Sequence, residues 1–367
     1  MHDTKTQVCD ELNYFLEYIR LLLQKRPIEG LSTWSERFTH YRQNGQYHQC
    51  LRLLQGIKSA DLPSYGVAIV RYSEGWLYDR LGRWQEALAA YKASLKLFQQ
   101  EAIPIDIQLW ANIGSLYQDQ GLWDEAEKTY QDALALTAER ENKRDRGAVL
   151  NNLGGLYLLR HSAEQAAQCF EEAVHIFRDV DDQYNYAASQ VNLGSAWRDQ
   201  GRLQDALNSY LASLLVYQKL GDLHAVGSVM ACIAFLYQFS QHVAEARAMY
   251  QQAFSLFDTI GDHVNMTKTL GNLALIEQEE GNLEQALEYF EQALVGYQDI
   301  GDKRGEAIVL VNLARLYAQR GDAEQTAVFT SQAHALAEAF DFRDQLARLQ
   351  DSSGKGVVKA AVEEKRV

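Results

Sequence analysis

The chain has 367 residues, of which 47% are hydrophobic, 23% are charged and only 3 are proline. This apolar content can bury a large core, which excludes a disordered chain, and the scarcity of proline favours helices. Lys and Arg number 35 against 49 Asp and Glu, so the net charge is −14. Because no basic patch offsets this charge, we expect neither nucleic acid nor an anionic membrane as a partner.

The first segment, residues 4–25, carries apolar residues at helical spacing and predicts one amphipathic helix, which we interpret as an N-terminal capping helix within residues 1–30. The opening residues are polar and unlike a signal peptide, and no apolar run is long enough to span a bilayer. Four dispersed cysteines without a CxxC pair predict neither disulfides nor a metal site. We therefore expect a cytoplasmic protein.

A repeat of forty residues organises the middle of the chain. The triplet Asn152-Leu153-Gly154 recurs as 192–194, and the same register gives 112–114, 232–234, 272–274 and 312–314. Three residues after the small residue stands an aromatic residue in five of six units, with Glu277 as the exception, and a second aromatic follows on the next segment. This spacing predicts two helices per unit, packed small residue against aromatic ring.

Glycines mark the ends of these predicted helices. Gly121, Gly201, Gly281 and Gly321 fall between the two helices of a unit, where a left-handed residue must end the first helix, and His161 and Gln241 replace glycine in two units. Units meet at Gly-Asp pairs, at 221–222, 261–262 and 301–302. There we expect the glycine to end one helix and the aspartate to cap the next.

These residues resemble the tetratricopeptide repeat, in the long variety found in kinesin light chains and the Pins/LGN spindle-orientation adaptors. The resemblance covers residues 107–340 as six regular units, preceded by two divergent units in residues 31–106. Residues 341–350 are expected to form a closing helix and residues 351–367 a disordered tail. The resemblance implies an all-α, right-handed superhelical solenoid of about eight helix-turn-helix repeats with a capping helix at each end.

An asparagine precedes the core leucine or isoleucine in five of the six regular units, and Cys232 replaces it in the other. In the resembling family this face lines a concave groove, where asparagines hydrogen-bond to the main chain of an extended peptide. The predicted peptide-binding residues are Asn112, Asn151, Asn152, Asn192, Ser195, Asp199, Phe235, Phe239, Asn272, Asn312 and Arg315. The alternative is purely structural: the amides bond to neighbouring repeats and the aromatic rings pack between them.

No zinc-protease HExxH, phosphate-binding GxxxxGK[ST] or GxSxG nucleophile motif occurs, so we expect neither catalysis nor a cofactor. The favoured interpretation is an adaptor that binds an extended segment of a partner protein. Because the chain is acidic, that segment is expected to be neutral or basic. Two alternatives stay open, a peptide-sensing regulator and a structural subunit that assembles through its edges and convex face, and self-association also stays open.

Overall fold

The computed structural model describes the main chain of residues 2–57, 62–101, 107–139 and 142–340, and the side chains of these residues from residue 11 onward except that of residue 139. These residues form α-helices without any strand, which confirms the all-α prediction. The helices are α1 (His2–Lys25), α2 (Pro27–Gln43), α3 (Tyr47–Ile57), α4 (Ser64–Arg80), α5 (Trp84–Gln100), α6 (Ile107–Asp119), α7 (Trp123–Glu139), α8 (Lys143–Leu159), α9 (Ala163–Asp179), α10 (Gln183–Asp199), α11 (Leu203–Leu220), α12 (Leu223–Phe239), α13 (Val243–Ile260), α14 (His263–Glu279), α15 (Leu283–Ile300), α16 (Lys303–Gln319) and α17 (Ala323–Ala339).

From α2 onward the helices follow one another in pairs, and from α6 to α17 each pair keeps the forty-residue register. Pro27 begins α2, since proline has no N–H to continue α1 but suits the first turn of a new helix. Residues 27–30, which the prediction included in the N-terminal capping segment 1–30, therefore belong to α2. The predicted closing helix at 341–350 and the tail at 351–367 lie outside the described residues.

The turn inside each pair depends on one left-handed residue. Gly201 has a φ of 76°, and His161 and Gln241 adopt φ values of 58° and 63° at the equivalent position. This confirms the predicted helix ends and shows that the turn is kept even where a side chain makes it unfavourable. Between pairs, Asp222 accepts a hydrogen bond from the Ala225 N–H at 2.9 Å, and Asp262 and Asp302 cap α14 and α16 in the same way.

Small residues on the first helix of a pair let the two helices approach closely. A Cβ added to Gly194 would lie 2.7 Å from the ring of Tyr210, and one added to Gly154 would lie 2.7 Å from the ring of Phe170. Both rings are fully buried. In these two pairs the structure confirms the predicted packing of a small residue against an aromatic ring.

The chain divides into two compact units, with the boundary between Asp145 and Arg146. The first unit contains α1 to α7, and the second contains most of α8 and all later helices. None of the helices in the described part of the chain is long and apolar enough to cross a lipid bilayer. The site described below lies within the second unit.

Candidate functional site

The first-helix face is the surface of α8, α10, α12, α14 and α16 that carries Asn152, Asn192, Cys232, Asn272 and Asn312. Each of these residues comes one position before a buried leucine or isoleucine, and the helical step of about 100° turns it away from the core. The first four are half-buried, whereas Asn312 is only 3% exposed. The face thus presents a polar side chain or a thiol at regular intervals.

Three amides on this face form no side-chain hydrogen bond within the described part of the chain. No side-chain hydrogen bond joins Asn152, Asn192 or Asn272 to another described residue. Each carboxamide therefore keeps both its donor and its acceptor available. This arrangement favours a ligand-binding role over the structural alternative at these three positions.

Two of the predicted asparagines are used structurally. In the first unit, Asn112 donates a hydrogen bond to the hydroxyl of Tyr91 at 3.2 Å and accepts one from Gln108. In the second unit, Asn151 donates to the hydroxyl of Ser189 on α10 at 2.8 Å. At Asn112 and Asn151 these contacts favour the structural alternative, because the amide binds a hydroxyl group that another helix brings within reach.

Ser195 and Asp199 also form hydrogen bonds within the protein. The Ser195 side chain is buried and its oxygen lies 3.1 Å from the Tyr210 hydroxyl, and its role in peptide binding stays a prediction. The Asp199 carboxylate accepts two hydrogen bonds from the guanidinium of Arg198, at 2.7 and 3.0 Å. This ion pair accounts for the aspartate without a ligand.

A cavity of about 220 Å³ opens on the first-helix face among α12, α14 and α16. It brings together three of the predicted residues, Phe235, Asn272 and Asn312, whereas Asn152 and Asn192 lie one or more repeats away. Its lining residues are Arg198, Ser228, Ala231, Cys232, Phe235, Tyr250, Phe257, Asn265, Lys268, Thr269, Gly271, Asn272, Leu275, Tyr297, Ile308, Val309 and Asn312. The wall is mostly apolar, with amides at one side, which is typical of a small binding site.

Two polar atoms of this wall are buried without a hydrogen-bond partner among the described residues, the hydroxyl of Tyr250 and the Oδ1 of Asn312. Tyr250 is completely buried, and this burial raises the pKa of its hydroxyl far above the ordinary value. The hydroxyl is therefore a neutral donor at physiological pH. Sequence reasoning did not select Tyr250, because its position in the repeat is an ordinary core position.

Two cations line the cavity, and each has a carboxylate close by. Arg198 is buried with its guanidinium 5.1 Å from the centre of the Phe235 ring. Burial works to lower the pKa of Arg198, but Tyr210 and Asp199 outweigh it and the pKa is raised. Lys268 is half-buried and contributes to lowering the pKa of Asp262. The described residues that line the cavity include no carboxylate.

The remaining predicted residues differ in exposure. Phe235 is buried and packs in the core beside the cavity, whereas Phe239, one turn further along α12, is 60% exposed. Arg315 is half-buried, and this burial lowers the pKa of its guanidinium. Phe235 is therefore packed in the core at the edge of the cavity and Phe239 lies at the surface, while the ligand role of both stays a prediction.

Glu277, the exception in the aromatic series, is part of an internal ion pair. Its carboxylate is 7% exposed and accepts hydrogen bonds from Arg247 at 2.7 Å and from the Asn282 side chain at 2.8 Å. Arg247 also binds Glu280. Glu277 therefore belongs to the junction between α13 and α14 and not to the candidate site.

The other candidate chemistries find no support in the described residues. No group of three or more His, Cys, Asp or Glu there could hold a metal ion. Burial raises the pKa of the Cys50 thiol to about 11, so this thiol is unreactive. Cys169 and Cys232 are half-buried thiols outside any disulfide.

Tetratricopeptide repeat family models match residues 106–179 and 265–348, residues 187–220, and residues 36–102. Together these segments make up more than half of the chain, which therefore belongs to the tetratricopeptide repeat proteins. No curated protein matches the sequence at a significant level.

Solved structures of similar fold cover almost the whole chain. The apo form of the quorum sensor NprR from B. thuringiensis has a TM-score of 0.65 at 16% identity, over 91% of this chain and 99% of that one. The apo form of RapI has a TM-score of 0.62 at 14% identity, over 92% and 97%. A Rap protein in complex with competence and sporulation factor gives 0.58 at 14% identity, over 93% and 99%. These likenesses confirm the fold as a tetratricopeptide solenoid.

Proposed function

We propose that the protein is a non-catalytic adaptor that holds an extended peptide segment of a partner protein on its first-helix face. The observation that carries this proposal is the series of amides on Asn152, Asn192 and Asn272, none of which is bonded to another described residue. A peptide main chain offers an N–H donor and a C=O acceptor at every residue, and a carboxamide complements both. Amides repeated along a face can therefore hold a main chain with little regard to its sequence.

Selectivity would come from the cavity beside Asn272 and Asn312. Its apolar wall suits an uncharged side chain, and the presence of Arg198 and Lys268 disfavours a basic residue at this point. We therefore expect the part of the partner segment at the cavity to be neutral, and any basic residues to lie in other parts of the partner. The exposed ring of Phe239 adds apolar surface at the end of α12.

A second candidate function is peptide sensing, in which the ligand changes how the repeats sit against one another. NprR, of similar fold, is described as a quorum sensor, and one Rap structure holds competence and sporulation factor. A sensor predicts that its ligand changes the overall dimensions of the protein, which small-angle scattering measures. An adaptor predicts unchanged dimensions with the partner peptide bound.

The test of the adaptor is a quantitative pull-down with mass spectrometry from the native lysate. Wild type is compared with the triple variant Asn152→Ala, Asn192→Ala, Asn272→Ala. Because these amides have no partner to lose among the described residues, the variant should keep the helicity and the unfolding midpoint of wild type. The proposal expects it to lose a defined set of proteins.

A matched control is Asn208→Ala, which removes an exposed asparagine from the second helix of a pair, α11. This variant should capture the same proteins as wild type. If the triple variant also captures them all, the first-helix face is not the binding surface and the proposal is wrong.

A further inference from the structure

Two residues that line the cavity among α12, α14 and α16 each carry a buried polar atom without a hydrogen-bond partner in the described part of the chain, the Tyr250 hydroxyl and the Asn312 Oδ1. Buried polar atoms in folded proteins almost always have a hydrogen-bond partner, so two unpaired atoms on residues that line one cavity need an explanation. One is a donor and the other an acceptor. A ligand that completes this pair must supply an acceptor and a donor together.

Comparison with the preceding repeat explains why the Tyr250 hydroxyl has no hydrogen-bond partner among the described residues. Tyr210 occupies the same position forty residues earlier, and its hydroxyl is bonded to Ser195 at 3.1 Å. In the repeat of Tyr250 the residue equivalent to Ser195 is Phe235, which has no polar atom. Phenylalanine fills the same position at Phe170 and Phe290 and is fully buried in both. Packing therefore does not require a hydroxyl at Tyr250.

We propose that this cavity receives one apolar residue of the bound peptide, with its main-chain carbonyl accepting a hydrogen bond from Tyr250 and its main-chain N–H donating one to Asn312. This inference rests on the proposed function and names the residue class that the site selects. The apolar side chain lies against Phe235, Leu275 and Ile308. The cavity would therefore select a type of side chain, whereas Asn152, Asn192 and Asn272 would bind only the peptide main chain.

The size and the charge of the cavity both fit one uncharged residue. A volume of about 220 Å³ is far more than the ~15 Å³ that one water requires and less than the ~300–1,000 Å³ of pockets for larger ligands. Arg198 and Lys268 disfavour a lysine or arginine side chain. Because Asp199 is bonded to Arg198 and Asp262 is influenced by Lys268, the cations do not require an acidic ligand either.

The test uses Cys232, a half-buried thiol on the cavity wall, as a reporter. Its alkylation by iodoacetamide is followed by mass spectrometry, with Cys169 on α9 as the reference in the same chain. The probe is N-acetyl-leucinamide, which has an apolar side chain between a main-chain N–H and a carbonyl, and the comparison probe is N-acetyl-lysinamide. A ligand of this size is expected to bind with a dissociation constant of about 1 mM.

The expected result is that N-acetyl-leucinamide slows the alkylation of Cys232 but not that of Cys169. Tyr250→Phe removes a hydroxyl with no protein partner to lose, so the fold is kept while binding weakens about fivefold to tenfold. The matched control, Tyr210→Phe, alters the equivalent position outside the cavity and should leave protection unchanged. Gly271→Leu is a second variant: a Cβ there meets no atom within 4 Å, and the added side chain should block the cavity and abolish protection.

The proposal is overturned if wild type shows no protection, if Tyr250→Phe binds as tightly as wild type, or if N-acetyl-lysinamide protects equally well. The pull-down separates this failure from failure of the proposed function. Loss of partners in the asparagine triple variant, with normal probe binding by Tyr250→Phe, would remove the cavity assignment and leave the adaptor intact. Retention of partners in the triple variant would remove the adaptor itself.

Discussion

Two successive repeats, α10–α11 and α12–α13, share one framework but use it differently. In both, a small residue, Gly194 or Ala234, packs under a fully buried tyrosine, Tyr210 or Tyr250. In the first repeat the tyrosine hydroxyl is bonded to Ser195, so the polar groups satisfy one another. In the second the hydroxyl has no partner among the described residues, and Tyr250 is one of the residues that line a cavity. A single change at the serine position turns a structural group into one available to a ligand.

The junctions that follow these two repeats differ in the same manner. After α11, Leu207 and Tyr237 pack against one apolar core cluster. After α13, the residues forty positions later are Arg247 and Glu277, joined by a hydrogen-bonded ion pair at 2.7 Å. The repeat framework therefore tolerates either an apolar or an ionic contact between neighbouring pairs of helices.

The largest expected effect concerns this ionic junction. Arg247→Leu should lower the free energy of unfolding by about 3 kcal/mol, because it leaves the nearly buried carboxylate of Glu277 without its countercharge. The double variant Arg247→Leu, Glu277→Tyr copies the Leu207–Tyr237 junction and should recover most of that loss. Urea unfolding measures both. A cost below about 0.5 kcal/mol for the single variant would show that the ion pair does not hold the junction.

The small-residue position gives the next effect. Gly194→Ala would place a Cβ 2.7 Å from the Tyr210 ring and 3.1 Å from the main-chain oxygen of Ala206, so the helices must move apart. We expect a loss of about 1–2 kcal/mol even after the gain in helix propensity. Ala234→Gly, the reverse change in the next repeat, should cost about 1 kcal/mol through helix propensity alone. If urea unfolding shows that Gly194→Ala raises the free energy of unfolding, the helices at Gly194 have room for a Cβ. The close packing proposed for α10–α11 would then be wrong.

The tyrosine hydroxyls give a smaller and more specific contrast. Tyr210→Phe should cost about 1 kcal/mol, because the Ser195 hydroxyl loses its bond to Tyr210 in a buried place. Tyr250→Phe should leave the free energy of unfolding unchanged or raise it slightly, since its hydroxyl has no described partner. The difference between the two urea midpoints is the measurement. Equal losses would mean that Tyr250 has a partner in the free protein.

The last effect depends on pH, at the cap that begins α14. Burial works to raise the pKa of Asp262, but hydrogen bonds from Asn265, with His224 and Lys268, lower it below the ordinary 3.8. Because folding favours the ionised carboxylate, Asp262 stabilises the folded protein at neutral pH. This stabilisation is lost as the pH falls from the ordinary pKa of 3.8 through the lowered pKa of the folded state. Asp262→Ala should therefore cost about 1 kcal/mol at pH 7 and progressively less below pH ~4. A cost independent of pH would contradict the cap.

Much of the fold was predictable because the forty-residue period places the small residue, the aromatic ring and the turn residue at fixed steps. Even His161 and Gln241 could be assigned to left-handed turns, since the repeat register outweighs the preference of the single residue. The start of α2 follows from Pro27, since proline has no N–H to continue α1 and suits the first turn of a new helix.

The candidate site was predictable only in part. The orientation of Asn152, Asn192 and Asn272 follows from one helical step, so their exposure could be foreseen. The structural use of Asn112 and Asn151 depends on hydroxyls that Tyr91 and Ser189 bring from other helices, and no spacing within one helix reveals these. Tyr250 was missed because its sequence position is one of packing, and only the cavity beside it shows an unpaired hydroxyl.

The central claim is that a partner segment lies on the first-helix face, and site-specific photo-crosslinking tests it most directly. A photoreactive phenylalanine replaces Phe239 on α12 or, as the matched control, Leu215 on α11, which are 60% and 59% exposed. Both positions carry large apolar side chains at the surface, so both variants should fold. The account predicts that the captured partner crosslinks at residue 239 and not at residue 215. Crosslinking at residue 215 alone would place the partner on the second helices and contradict the account.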